Sequence, residues 1–269
     1  MTYRDDSDLP RPYAWIAPLG TPPSTYQPRA SEPRNWRQFS KAGFAASLPS
    51  RPASFRRLAR RKKLVAWVVS NCHTSSQREN YVRELSKHVK VSIMGNCGAK
   101  CKQGGQDVCD NSVTSGFKFY LSFENSMCRD YMTEKVFNRM TQDVVPVVMG
   151  LGNFTRHLPP HSYIDVMDYE SPKELADYLQ HLDANEEEYL SYFWWKDHYA
   201  VLNTRLPTIC RLCELLHDPN APVKSYEDMN AWWRKGACLK RDAIPWSRQK
   251  TGVDFAKDLL NGITARVVG

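Results

Sequence analysis

FYLSFENSMCRDYMTEKVFNRM, residues 119–140, changes character halfway along. Residues 119–123 are apolar and rich in aromatic side chains, as a buried strand requires, and the later part has helical spacing, with Met132, Val136 and Met140 four apart. The polar run between them holds two glutamates, a lysine, an asparagine and a tyrosine. In open α/β folds, ligands gather where a strand ends and the next helix begins. This stretch therefore predicts both a parallel sheet and the place of its site.

Working outward, the same alternation appears on either side. LVAWVVS (64–70) reads as a buried strand, and SSQRENYVRELSKHV (75–89) puts Tyr81, Val82, Leu85 and Val89 on one helical face. KVSIMG (90–95) is another strand, which completes one βαβ unit. The quoted stretch and VVPVVMG (144–150) form a second unit, followed by the short strand SYIDV (162–166). Ser171, Pro172 and Glu174 then mark a helix start, with a serine cap, a proline in the first turn and a carboxylate three residues after the cap. Strands alternating with helices predict an α/β, Rossmann-like, doubly wound parallel sheet. Residues 184–240 read as helical and aromatic, with Trp194, Trp195, Trp232 and Trp233 packing the helices. Residues 1–55 read as irregular, since nine of the 17 prolines lie there. The organisation expected is thus an irregular, proline-rich segment (1–55), an α/β domain (56–240) and a tail (241–269).

The net charge of +8 suggests an anionic partner, but six of the positive charges lie in RRLARRKK (56–63), and without them the balance is +2. A solvated basic loop accounts for that run, and no homeodomain, zinc-finger or RNA-binding pattern accompanies it, so nucleic acid is not an expected partner. The spacing of the eight cysteines argues against zinc, because no second C-x-x-C follows Cys210 and Cys213 and no histidine pair lies at finger spacing. Their number and the sequon at Asn153 fit an oxidising, secretory compartment. No apolar run is long enough to span a membrane.

Neither a dinucleotide-binding glycine fingerprint nor a P-loop is present. Two cations take their place. Arg78 begins the helix after the first strand, and Lys135 lies in the first turns of the helix after 119–123, where free N–H groups already favour an anion. Together they can neutralise a departing pyrophosphate without a metal. Glu134 can set a carboxylate beside a cationic sugar transition state, while Asn125 and Tyr131 orient sugar or phosphate oxygens. Asp6-Ser7-Asp8 matches a D-x-D metal pattern but sits in a proline-flanked terminal stretch, and Pro159 and Pro160 break any helix that would align His157 with His161. Metal is not implied.

The quoted stretch, with AWVVSNC (66–72), Arg78, ELSKHVKVSIMG, HSYIDVMDY and CRLCELLH, resembles the α-1,3-fucosyltransferases of glycosyltransferase family ten, and its invertebrate, core-type branches in particular. The resemblance covers residues 64–240. It implies the carboxy-terminal half of a two-Rossmann-domain, GT-B type glycosyltransferase, with residues 1–55 a remnant of the acceptor domain and linker. GDP-fucose is then the donor substrate and no cofactor is required. The family's donor-binding residues fall on Arg78, Asn125, Tyr131, Glu134 and Lys135. It further implies inverting transfer of fucose to the 3-hydroxyl of a GlcNAc in an N-glycan or glycoprotein, and a single-pass type II protein of the Golgi membrane facing the lumen. MTYRDDSDLPRPY resembles an internal segment of the family, so the membrane anchor and the catalytic base are expected upstream of Met1, and no residue here matches that base. Cys210 and Cys213 are disulfide candidates whose family partners lie upstream; Cys128 and Cys238 are the others. A nucleotide-sugar binder without transfer activity is the rival reading.

Overall fold

A computed structural model describes residues 1–22, 26, 35–100, 116–221 and 224–244. In chain order the strands are β1 (Trp15–Pro18), β2 (Lys63–Val68), β3 (Val91–Met94), β4 (Phe117–Phe123), β5 (Val145–Met149), β6 (Ile164–Asp165) and β7 (Tyr199–Leu202). The helices are α1 (Lys41–Ser47), α2 (Ala53–Arg56), α3 (Arg78–Leu85), α4 (Glu134–Met140), α5 (Phe154–His157), α6 (Pro172–Ala184), α7 (Glu186–Ser191), α8 (Leu206–His217) and α9 (Met229–Arg234).

The core is a five-stranded, wholly parallel sheet in the order β3-β2-β4-β5-β6. Every residue of β4 and β5 is buried, as expected of strands covered on both faces. Along β4 the side chains alternate between those faces. Phe119 and Phe123 meet Tyr189 and Tyr81 on one side, while Tyr120 and Ser122 meet Arg139 and the Lys135 carbonyl on the other. Pro146 lies inside β5 opposite Tyr120 of β4, and β6 joins that strand only at Val147 and Val148.

Helix α3 packs on α6, and α4 packs on β4 and β5. The predicted face of α3 is its core face: Tyr81, Val82 and Leu85 are buried, as is Val89 beyond its end. Ser171 caps α6 by accepting the Glu174 N–H at 3.2 Å. Helix α4 is shorter than the sequence reading suggests. It starts at Glu134 with Thr133 as its cap, and Asp130, with φ of 61°, precedes it in a left-handed conformation that no helix continues.

The described part of residues 1–55 contains elements that its prolines did not suggest. β1 pairs antiparallel with β7, and Ala14, Trp15, Ile16 and Ala17 are buried. Phe44 of α1 reaches the main core, and Ser40 caps that helix. Composition missed these elements because each is too short for periodicity to register and is held by contacts distant in sequence. Cys72 and Cys97, which the sequence reading did not pair, form a disulfide between the loops after β2 and β3. Beside it, Gly95 has φ of +93°, and a Cβ there would come within 2.7 Å of the Val69 carbonyl oxygen. Gly95→Ala is therefore expected to cost about 2 kcal/mol, read as a lower denaturation midpoint with an unchanged slope.

Candidate functional site

The chain runs from β2 to β3 on one side, then crosses back to β4 on the other side of β2. The strand order thus reverses at the carboxyl ends of β2 and β4, the usual ligand position in such sheets. The loops leaving those two strands are stitched together there. Ser76 N–H donates to the Asn125 carbonyl at 3.0 Å, Ser76 Oγ to the Glu124 carbonyl at 2.7 Å, and Ser75 Oγ to the Asn125 carbonyl at 3.1 Å.

Arg78 straddles this reversal. Its Nη1 donates to the Phe123 carbonyl at the end of β4 (2.5 Å) and its Nη2 to the Asn71 carbonyl beyond β2 (3.3 Å). The residue is 4% exposed, its guanidinium lies 5.5 Å from the Trp67 ring centre, and Nε has no partner in the protein. Burial lowers its pKa, opposed by the charges of Glu124 and Glu79. The preceding residue, Gln77, adopts a left-handed conformation (φ 52°) that costs a non-glycine residue about 1 kcal/mol or more. Strain of that kind immediately before Arg78 marks a fixed geometry.

Lys135 reaches the same strand end from α4. Its Nζ donates to Thr133 Oγ1 at 2.7 Å, to Glu124 Oε2 at 2.9 Å and to Glu134 Oε1 at 3.3 Å. Glu124, 1% exposed, is the hub, for its Oε1 also accepts the Thr133 N–H at 2.7 Å. Burial pushes its carboxyl up, and Lys135 and Thr133 pull it back. Arg78 and Lys135 thus converge on one strand end, with the Phe123–Glu124 backbone and the Glu124 side chain between them.

The other residues named from sequence occupy the same region. Asn125 is half-buried and its side-chain oxygen has no partner in the protein. Tyr131, whose hydroxyl burial pushes up to about 12, packs against Tyr3 with ring centres 5.1 Å apart. Glu134 is the exposed member, at 53%, and lines a cavity of about 430 Å³ with Tyr3, Arg11, Tyr13, Asn138 and Arg205. The loop carrying Tyr131 is tied down by the Cys128–Cys238 disulfide and by two backbone hydrogen bonds, Arg129 N–H to Ala237 O (2.7 Å) and Leu239 N–H to Met127 O (2.8 Å). Cys210 and Cys213 carry free thiols among the described residues. Asn153 is exposed and caps α5.

Sequence reasoning passed over Glu124 as a site residue. It was legible as the charged residue that directly follows the strand, but a single glutamate there gives no hint that it turns inward.

The remaining polar features are engaged elsewhere. Asp6 pairs with Arg4 and Arg129, whereas Asp8 pairs with Lys224 and Tyr226, so the two carboxylates of the D-x-D do not share a point. His157 binds Asp5, and His161, lowered to about 4 by burial, binds Ser191. Among the described residues no group of three or more His, Cys, Asp or Glu side chains converges as a metal site needs, and no helix is long and apolar enough to cross a membrane. The basic run serves partly as internal structure: Arg61 donates to the Phe117 carbonyl at 2.9 Å, Arg56 to the Leu48 carbonyl, and Lys63 sits over the Phe117 ring.

A family model described as "Glycosyltransferase family 10 (fucosyltransferase) C-term" matches residues 58–232. The chain belongs to that family. Among curated fucosyltransferases, Alpha-(1,3)-fucosyltransferase C of Drosophila melanogaster is 38% identical over 235 residues, which is 87% of this chain and 53% of the relative. Glycoprotein 3-alpha-L-fucosyltransferase A of the same organism is 42% identical over 203 residues, 73% of this chain and 39% of the relative. A crystal structure of an alpha1,3-fucosyltransferase with GDP-fucose aligns with a TM-score of 0.51 at 20% identity, covering 70% of this chain and 54% of that one. At that identity the likeness establishes the shared fold. The chain spans about half the length, or less, of these curated fucosyltransferases.

Proposed function

We propose that this chain is the donor-binding part of an α-1,3-fucosyltransferase that takes fucose from GDP-fucose. The observation that carries the reading is that Arg78 and Lys135 both reach the carboxyl end of β4, Arg78 at the Phe123 carbonyl and Lys135 at the Glu124 carboxylate. Two cations held there suit a diphosphate whose charge grows as the bond from the fucose anomeric carbon to the phosphate oxygen breaks and its electron pair stays with GDP. Lys135 already uses its three donors. The contact to exposed Glu134 is the longest, and it is the one an incoming phosphate displaces.

In this reading Asn125, with its unpartnered side-chain oxygen, and Tyr131 orient the nucleotide sugar. Glu134 faces the positive charge that develops on the sugar. The acceptor is a glycan whose GlcNAc 3-hydroxyl attacks with inversion, its proton going to a base that no residue here matches. A luminal Golgi setting is part of the same proposal, supported by the disulfides Cys72–Cys97 and Cys128–Cys238 and by the exposed sequon at Asn153.

Calorimetric titration with GDP tests the site. Lys135→Ala is expected to weaken binding by roughly 10- to 100-fold, because a charge-assisted contact to phosphate is lost; it also lowers the melting temperature, since the buried Glu124 carboxylate loses its ion-pair partner, so both proteins are titrated well below their transitions. Equal affinities for the two proteins would overturn the assignment.

A further inference from the structure

Lys135 is held on its inner side by two groups, and only one of them is charged. Glu124 occupies a position where a carboxylate is costly unless it is paired. Its backbone is pinned, since Glu124 N–H donates to the Met149 carbonyl at 2.9 Å and its own carbonyl accepts from Ser76. Its side chain is walled in as well: a Cβ at Gly150 would stand 3.3 Å from Glu124 Cγ, and only glycine leaves the carboxylate its full room. Capping Thr133 alone would need an acceptor but no charge. The charge meets cations, Lys135 directly at 2.9 Å and Arg78 through its field.

We propose that Glu124 is the positioning residue of this site: it anchors the Lys135 ammonium from within, leaving the outward donor of Lys135 to the diphosphate. The inference rests on the donor-binding reading above. Two of the three Nζ donors are committed inward, to Glu124 and Thr133, and the third points to the exposed Glu134 carboxylate. When a phosphate oxygen replaces Glu134, the ammonium is already in place. No side-chain freedom is lost at that moment, an ordering that otherwise weakens binding.

A double-mutant cycle on GDP affinity separates positioning from a general structural role. GDP is titrated into the wild type, Glu124→Gln, Lys135→Ala and the double variant, with melting temperatures recorded alongside. Glutamine keeps an acceptor for the Thr133 N–H and removes the charge. Glu124→Gln is expected to weaken GDP binding about tenfold in the wild type and less than about twofold once Lys135 is alanine. The same factor in both backgrounds, or undiminished affinity in Glu124→Gln, overturns the inference alone. No binding of GDP by the wild type overturns the donor reading and this inference with it. If the glutamine variant does not fold, Glu124→Asp, which keeps the charge and shortens its reach, takes its place in the same cycle with the same outcomes.

Discussion

Replacing both Cys128 and Cys238 by serine is expected to lower stability by about 4 kcal/mol and the melting temperature by roughly 8–15 °C. The magnitude follows from the chain between them: 110 residues separate the two cysteines, and the cross-link removes that loop's freedom from the unfolded ensemble. Cys128 is buried, so the serine hydroxyl adds the cost of an unfavourable polar group. The consequence for the site is local. Residues 127–129 and 237–239 are joined by two backbone hydrogen bonds besides the disulfide, and Tyr131 follows directly. Loosening that seam frees the segment that leads into the Thr133 cap and Lys135, so GDP affinity is expected to fall together with stability. Thermal unfolding with and without a reductant, on wild type and variant, checks this. A wild type whose melting temperature does not respond to reduction would show that the backbone seam alone holds the loop. The same experiment reports on Cys72–Cys97, which closes only 25 residues and is therefore expected to contribute less.

The parts of this molecule that could be read from sequence are those whose physics is local. β4 is mostly apolar and aromatic because it is buried on both faces, and the predicted strand FKFYLSF coincides with Phe117–Phe123. The face of α3 and the cap of α6 were equally legible, since spacing and capping act within a few residues. Arg78 and Lys135 stood out as candidates because they lie next to strand ends. What escaped depends on partners far away in the chain. β1 exists because it meets β7, Arg4 is buried because it lies over Trp232 and bonds its carbonyl, and Cys72 meets Cys97 only once β2 and β3 are side by side. Glu124 belongs to the same class. Its inward turn is fixed by Thr133, Gly150 and Lys135, which no spacing rule encodes.

Replacing Asp165 by asparagine is expected to stabilise the protein by about 2–4 kcal/mol at pH 8 and to have little effect at pH 4. Asp165 ends β6, at the same carboxyl edge as Glu124 but two strands away, where its Oδ1 accepts the Met167 N–H at 3.0 Å. The side chain is close enough to Tyr81, Tyr163 and Tyr169 for their hydroxyls to feel its charge. Burial pushes its carboxyl up to about 7, the Met167 hydrogen bond opposes this, and the charge of Asp168 adds to it. The sign follows from the direction. A carboxyl raised in the folded state keeps its proton there while the unfolded chain has already lost it, so stability falls as pH rises from about 4 to about 7 and then levels. Three units at about 1.4 kcal/mol each set the upper bound, and partial solvent access lowers it. Asparagine retains an acceptor for Met167 and carries no charge, which leaves the cap intact and removes the slope. Denaturant titrations of both proteins between pH 4 and 8 isolate this one group, because every other titration is common to the two curves. Curves that run parallel throughout would mean that the Asp165 charge is solvated in the native state, and the buried edge of β6 would have to be redrawn.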